Sequence, residues 1–137
     1  FVGSRGLGDV YKRQEYACRA GTTTAYSWGD SITASNANYA SSGIGQTTDV
    51  GQYAANPWGF FDMHGNVWEW TADRYQAAYP SGNPVVDPTG PASGSTRVTR
   101  GGSWSNGGTD LRSAKRHSYT PSARSNTLGF RVGFQQQ

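Results

Sequence analysis

The feature that most constrains this chain is the stretch from residue 29 to residue 57. Gly, Ser, Asn, Asp and Thr dominate it, and no helical or strand periodicity survives there. Tyr39, Tyr53 and Trp58 interrupt or close the stretch. A linker carries no such anchors, so this is a long loop braced against a core. A fold that accommodates it has little regular secondary structure and leans on aromatic side chains for its interior, and the chain supplies 5 Trp and 8 Tyr. Charged residues make up only 15% of the sequence, unlike the highly charged composition of disordered segments. No apolar run approaches the ~20 residues that span a bilayer, so no membrane partner is expected for this segment.

Residues 1–14 stand apart. The stretch SRGLGDVYKRQ, residues 4–14, matches no element that follows and resembles the translation of a sequencing adapter. The alternative is a glycine-rich phosphate loop, but no strand precedes these glycines and no Lys-Ser/Thr closes them. Residues of such origin are left out of fold reasoning. Residues 15–137 then form one domain or most of one, with the natural N-terminus expected to be missing. Of the formal charge of +3, Arg5, Lys12, Arg13 and Asp9 account for a net +2, leaving +1. That balance gives no reason to expect a nucleic-acid partner.

Residues 15–20 read as the last turns of a helix ended by Gly21, and residues 22–28 as a short strand or extended loop. VWEWT, residues 67–71, predicts a strand with Trp68 and Trp70 on one face. Residues 80–96 read as a Pro/Gly/Ser loop. RVTRGGSW, residues 97–104, reads as a strand that breaks at two glycines, where φ can turn positive. LRSAKR is ambiguous, and LGFRVGF, residues 128–134, reads as a closing strand.

Cys18 is the only cysteine, which excludes an internal disulfide and a multi-cysteine metal site. At an apolar helical position it reads as a buried, inert thiol. His64 reads as a hydrogen-bonded core histidine, and neither histidine lies in a nucleophile or zinc motif. Residues 15–96 hold two basic and seven acidic side chains, whereas residues 97–137 hold seven basic and one acidic. Either the later arginines pair with the earlier acids, or they form a cationic face.

EYACRAGT, NPWGFFDMHGNVWEWTAD, RVTRGGSW and LGFRVGF follow one another in an order and spacing that resembles the formylglycine-generating enzyme family, also called sulfatase-modifying factors. The resemblance covers essentially all of residues 15–137 and corresponds to the C-terminal portion of that domain. It implies an irregular, loop-rich α+β fold akin to C-type lectins. Catalytic members oxidise a sulfatase cysteine to formylglycine with a cysteine pair, copper and oxygen. The resemblance puts their first cysteine where this chain has Asn106 and their second near Leu111, and no cysteine occurs in residues 19–137. Soft Cu(I) needs thiolate-type ligands, so no copper is expected and no catalytic residue is assigned. Ser103 and Trp68 match positions that line the family's oxygen pocket, and Arg116 matches an arginine near its substrate groove. Each also has a plain role open to it, in bracing the glycine turn, filling the core or pairing internally.

The expected function is therefore a non-catalytic binding or accessory domain. One alternative is the family oxidase activity by another route, or a part in a multidomain oxidoreductase of the ergothioneine sulfoxide synthase kind. A further one is a variable ligand-binding protein of a diversity-generating retroelement, where residues 105–110, 117–119 and 125–127 occupy changeable positions. The turn at Gly101-Gly102 presents Trp104 as a platform beside Ser105, Asn106, Arg112, Arg116, His117 and Tyr119. An aromatic surface beside polar and cationic groups suits a small polar ligand or a protein or peptide surface. The resemblance also implies calcium at Asp62, Gly65, Val67 and Glu69, where carboxylates and backbone carbonyls suit a hard cation. The alternative there is that an arginine such as Arg131 supplies the charge that Glu69 needs. The family's other calcium loop is truncated around residues 38–46, so one ion is expected.

Overall fold

The computed structural model describes residues 10–77 and 91–132. Helix α1 (Val10–Arg19) contains no Gly or Pro and stops where Ala20 and Gly21 take φ of 48° and 87°. It begins inside the stretch set aside as a leader, since VYKRQ holds no helix breaker. A pair between Glu15 and Arg19, 3.0 Å apart at i,i+4, supports it.

Four strands form one mixed sheet in the order β3-β2-β1-β4. They are β1 (Trp68–Arg74), β2 (Arg97–Arg100), β3 (Arg116–Tyr119) and β4 (Leu128–Gly129). β1 and β3 are antiparallel to β2, whereas β4 runs parallel to β1. Helix α1 packs against β1 and β2, where Arg100, almost wholly buried, reaches Glu15 at 3.2 Å. The irregular α+β architecture expected from the sequence is the one observed.

The long loop is held by Tyr39 as anticipated, and otherwise by residues that the sequence did not single out. Ala37 and Tyr39 enter a core cluster with Tyr26 and Leu111. The buried amides of Asn38 and Asn66 clamp the loop's far side. Asn38 Nδ2 donates to Gln46 O and Asn66 Oδ1, and Thr48 N donates to Asn66 Oδ1. Gly65 closes that clamp: its φ is 83°, and a Cβ there would lie 2.4 Å from the Asn38 carbonyl oxygen. Trp58 is no anchor. It is 45% exposed and rests on Tyr16 at 4.8 Å. Buried Asn56 pins that stretch instead, donating to the Ala17 and Cys18 carbonyls at the end of α1.

Three local expectations change. Residues 22–28 form a turn with a single bridge, Tyr26 to Gly29, because Asp30 Oδ1 accepts the Ala25 N–H and folds the chain back. LRSAKR contributes Leu111 to a 3-10 turn, Gly108–Leu111, and otherwise bends into β3. The closing strand pairs only at Leu128 and Gly129 among the described residues, and residues 133 and 134 lie outside them. Of the predicted 80–96 loop, residues 91–96 are described and irregular.

Candidate functional site

β2 ends in two left-handed glycines, Gly101 and Gly102, with φ of 98° and 74°. A Cβ on Gly102 would meet Leu111 Cδ1 at 2.6 Å and Asp110 O at 3.1 Å, so only glycine brings this turn so close to the following loop. Gly65 N and Trp104 N then bond across to Gly101 O and Asn66 O, tying the turn to the segment before β1.

The turn delivers Asn106 onto a convergence of donors. Its Oδ1 accepts from Trp68 Nε1 at 2.9 Å, Ser103 N at 3.1 Å and Ser103 Oγ at 2.5 Å. Its backbone oxygen accepts from Ala40 N at 2.9 Å, so the residue also holds the long loop. Trp68 and Ser103 are almost completely buried. A carboxamide oxygen with its lone pairs can serve them, whereas a thiol sulfur is a weak acceptor. Leu111, near the other position considered for a cysteine, is fully buried in the core. Neither residue offers the soft ligand that Cu(I) takes.

Strand alternation gathers an aromatic group on the sheet face away from α1. Thr99 sits opposite both Trp70 and His117 in register. His117 lies 5.3 Å from Trp68 and 4.9 Å from Tyr119, and Tyr119 lies 6.1 Å from Trp70. The Thr99 hydroxyl is buried without a partner. Trp104 is half-buried, its Nε1 donating to Asn126 O at 3.2 Å, and Ser105 and His117 are exposed. Trp70 joins this face although the sequence pointed only to its alternation with Trp68. β3 was the missing signal.

Arg112 and Arg116 do not join it. Arg112 Nε donates to Thr109 O, and Arg116 donates to Gln76 O and Ala77 O with its guanidinium 5.3 Å from the Tyr75 ring. Adjacent to His117 in a strand, Arg116 projects to the opposite side. Of the other late cations, Arg100 and Arg131 pair with the earlier acids Glu15 and Glu69, Lys115 pairs with Asp110, and Arg97 donates to Ala72 O. Internal pairing takes up part of the late positive charge.

The segment proposed for calcium is ordered around a guanidinium. Arg131 Nη2 donates to Glu69 Oε1 at 2.9 Å, Phe61 O at 2.7 Å and Asp62 O at 3.1 Å. Gln14 adds a bond to Glu69 Oε2 at 2.7 Å. Burial pushes the Glu69 carboxyl above its usual range, and Arg131 opposes that rise. Asp62 adopts φ of 55°, a conformation aspartate tolerates, and its Oδ2 accepts from Gly51 N at 2.7 Å. Gly65 serves the clamp described above, and Val67 is half-buried beside it. A carboxylate flanked by backbone carbonyls is the kind of donor set that a hard cation takes, and here the Arg131 guanidinium occupies it.

Cys18 and His64 form a buried pair. His64 Nδ1 lies 2.6 Å from Leu111 O and so carries the proton, leaving Nε2 to face Ser27 N and Cys18 Sγ, each at 3.3 Å. Burial raises the Cys18 thiol to about 11, which makes it the inert group expected. Burial lowers His64 below its ordinary value.

A sheet of this order with a braced long loop defines an irregular lectin-like body, and the turn around Asn106 marks the branch of it. The chain belongs to the sulfatase-modifying factor enzyme 1-like domain family, whose profile matches residues 12–135. It is 37% identical over 134 residues to the formylglycine-generating enzyme of Streptomyces coelicolor, a match covering 85% of this chain and 43% of that protein. It is 44% identical over 117 residues to the serine/threonine-protein kinase pkn1 of Chlamydia caviae, covering 84% of this chain and 18% of that protein. The solved structure of Treponema denticola variable protein 1 superposes with a TM-score of 0.79 at 34% identity, covering 92% of this chain and 45% of the other. The chain thus spans less than half the length of these relatives.

Because His64 is held neutral, its contribution to stability is present above its unfolded value near 6.5 and is lost as pH falls through it. Titration of the His64 ring by NMR is expected to show a midpoint below 6.5, with the melting temperature declining from pH 7 to pH 5. A midpoint at or above 6.5 contradicts the neutral, Leu111-bound assignment.

Proposed function

We propose that this chain is a non-catalytic binding or accessory domain of its family. The observation that carries the reading is Asn106, whose carboxamide oxygen takes the donors of Trp68 and Ser103 where the resemblance puts an oxidase cysteine. The single thiol is elsewhere, buried, with its pKa raised to about 11. The likeness to pkn1 supports an accessory role, since a stretch like this one makes up under a fifth of a protein named as a kinase. The likeness to variable protein 1 supports ligand binding, at the rings of His117, Tyr119 and Trp70 on the sheet and at Trp104 and Ser105 of the turn after β2. Trp104 remains the platform, and the ligand is a small polar molecule or a peptide segment packed on the rings.

Incubated with copper and a sulfatase-motif peptide, the protein is expected to leave the peptide cysteine unchanged by mass spectrometry. Aldehyde product above a copper-only control overturns the reading.

The same reading retains one calcium ion at Asp62, Gly65, Val67 and Glu69, a structural ion that exchanges with Arg131 for the Glu69 carboxylate. A ligand that binds only the native state raises stability by RT ln(1 + [L]/Kd). Calcium is expected to raise the melting temperature, and to raise it further in Arg131→Gln. Glu69→Ala removes the effect. A melting temperature indifferent to calcium in both the original protein and Arg131→Gln rules the ion out.

A further inference from the structure

The sheet face that carries the rings of Trp70, His117 and Tyr119 ends in two guanidinium groups. Arg97 of β2 stands opposite Tyr119 of β3 on one side and opposite Arg74 of β1 on the other. Side chains paired in register share a face, so Arg74, Arg97 and Tyr119 lie together, with Tyr119 6.1 Å from Trp70. An irregularity in β1 makes this meeting. From Trp70 to Arg74 the strand takes four residues where β2 takes two from Thr99 to Arg97, so Arg74 and not Ala72 arrives opposite Arg97. Such irregularities re-aim side chains.

Like charges directly opposite one another repel. Arg74 and Arg97 are both half-buried, and each uses one N–H on a backbone carbonyl. Arg74 Nη1 donates to Gly94 O at 3.0 Å, and Arg97 Nη1 to Ala72 O at 2.6 Å. Among the described residues neither pairs with a carboxylate, whereas Arg19, Arg100 and Arg131 all do. The carbonyl bonds hold the two groups in place but leave their charge uncompensated and the rest of each N–H fork unused. Further along the same face Thr99, in register with Trp70 and His117, has a buried hydroxyl without a partner. The face therefore combines rings with two unpaired cations at one end.

We propose that Arg74 and Arg97 bind the oxyanion of a ligand, a carboxylate or phosphate group, while its apolar body packs on Tyr119 and Trp70. The proposal rests on the reading of this face as a ligand-binding one, and it gives that ligand a negative charge. The planar guanidinium fork matches two oxygens of either group. An anion at this place also relieves the repulsion between the opposed arginines as it binds.

The test follows the NMR signals of the Tyr119 ring, the Trp70 indole and the Arg74 and Arg97 Nε–H groups. Phenyl phosphate, phenylacetate and the neutral benzyl alcohol are each titrated in. One of the two anions is expected to bind about tenfold or more tightly than benzyl alcohol, and the tighter of them identifies the oxyanion. Arg74→Gln and Arg97→Gln should each weaken that anion about tenfold. Neither should lower the melting temperature, because each removes one of two like charges. Arg124→Gln, at an exposed arginine outside the face, should leave binding unchanged. Benzyl alcohol bound as tightly as the anions, or anion affinity indifferent to both arginine variants, overturns the proposal and leaves the ring face standing. No shift at Tyr119 or Trp70 with any of the three overturns the reading of the face as well.

Discussion

Three donors meet at the side-chain oxygen of Asn106, and the rest of the molecule depends on that meeting. Trp68 opens β1, Ser103 leaves the glycine turn after β2, and the backbone of Asn106 holds Ala40 in the long loop. One residue therefore joins the sheet, the turn and the loop. Each net hydrogen bond is worth ~1 kcal/mol, but a buried donor left without a partner costs ~1–3 kcal/mol. The indole of Trp68 is 2% exposed, so it has no water to turn to. The same geometry that secures the fold commits the Asn106 side chain to buried donors.

Cations are handled in a parallel way. The late part of the chain is rich in arginine, and Arg100 and Arg131 turn their guanidinium groups to Glu15 and Glu69 while Arg97 and Arg116 bond backbone carbonyls. Arg131 is the clearest case. It neutralises a carboxylate that burial would otherwise leave isolated, and it fastens the residues after β4 to the turn at Phe61. The outer face of the sheet carries the rings of Trp70, His117 and Tyr119, with Arg97 opposite Tyr119 in register.

Much of this was legible in the sequence. The VWEWT alternation gave β1, the paired glycines gave the turn after β2, and the family motifs gave the irregular α+β fold class. Cys18 and His64 were read correctly from local context, because a lone thiol on an apolar helical face has few other options. What stayed hidden was set by partners far along the chain. RHSY has no apolar alternation, so β3 became visible only once Val98 and Thr99 were there to pair with it. Without β3, the joining of His117 and Tyr119 to Trp70 could not be seen. Trp58 looked like an anchor because large aromatics usually are, and the small amide of Asn56 did that work instead. Arg116 was placed on the ligand face beside Trp104, with internal pairing as the alternative, until β3 fixed which way it points.

If the Asn106 carboxamide is a structural part that a thiol cannot replace, urea unfolding of Asn106→Cys should show a loss of about 2–3 kcal/mol, since sulfur is a poor acceptor and the buried Trp68 and Ser103 donors lose their partner. A variant as stable as the original protein would contradict it, because the site would then accept the cysteine without cost.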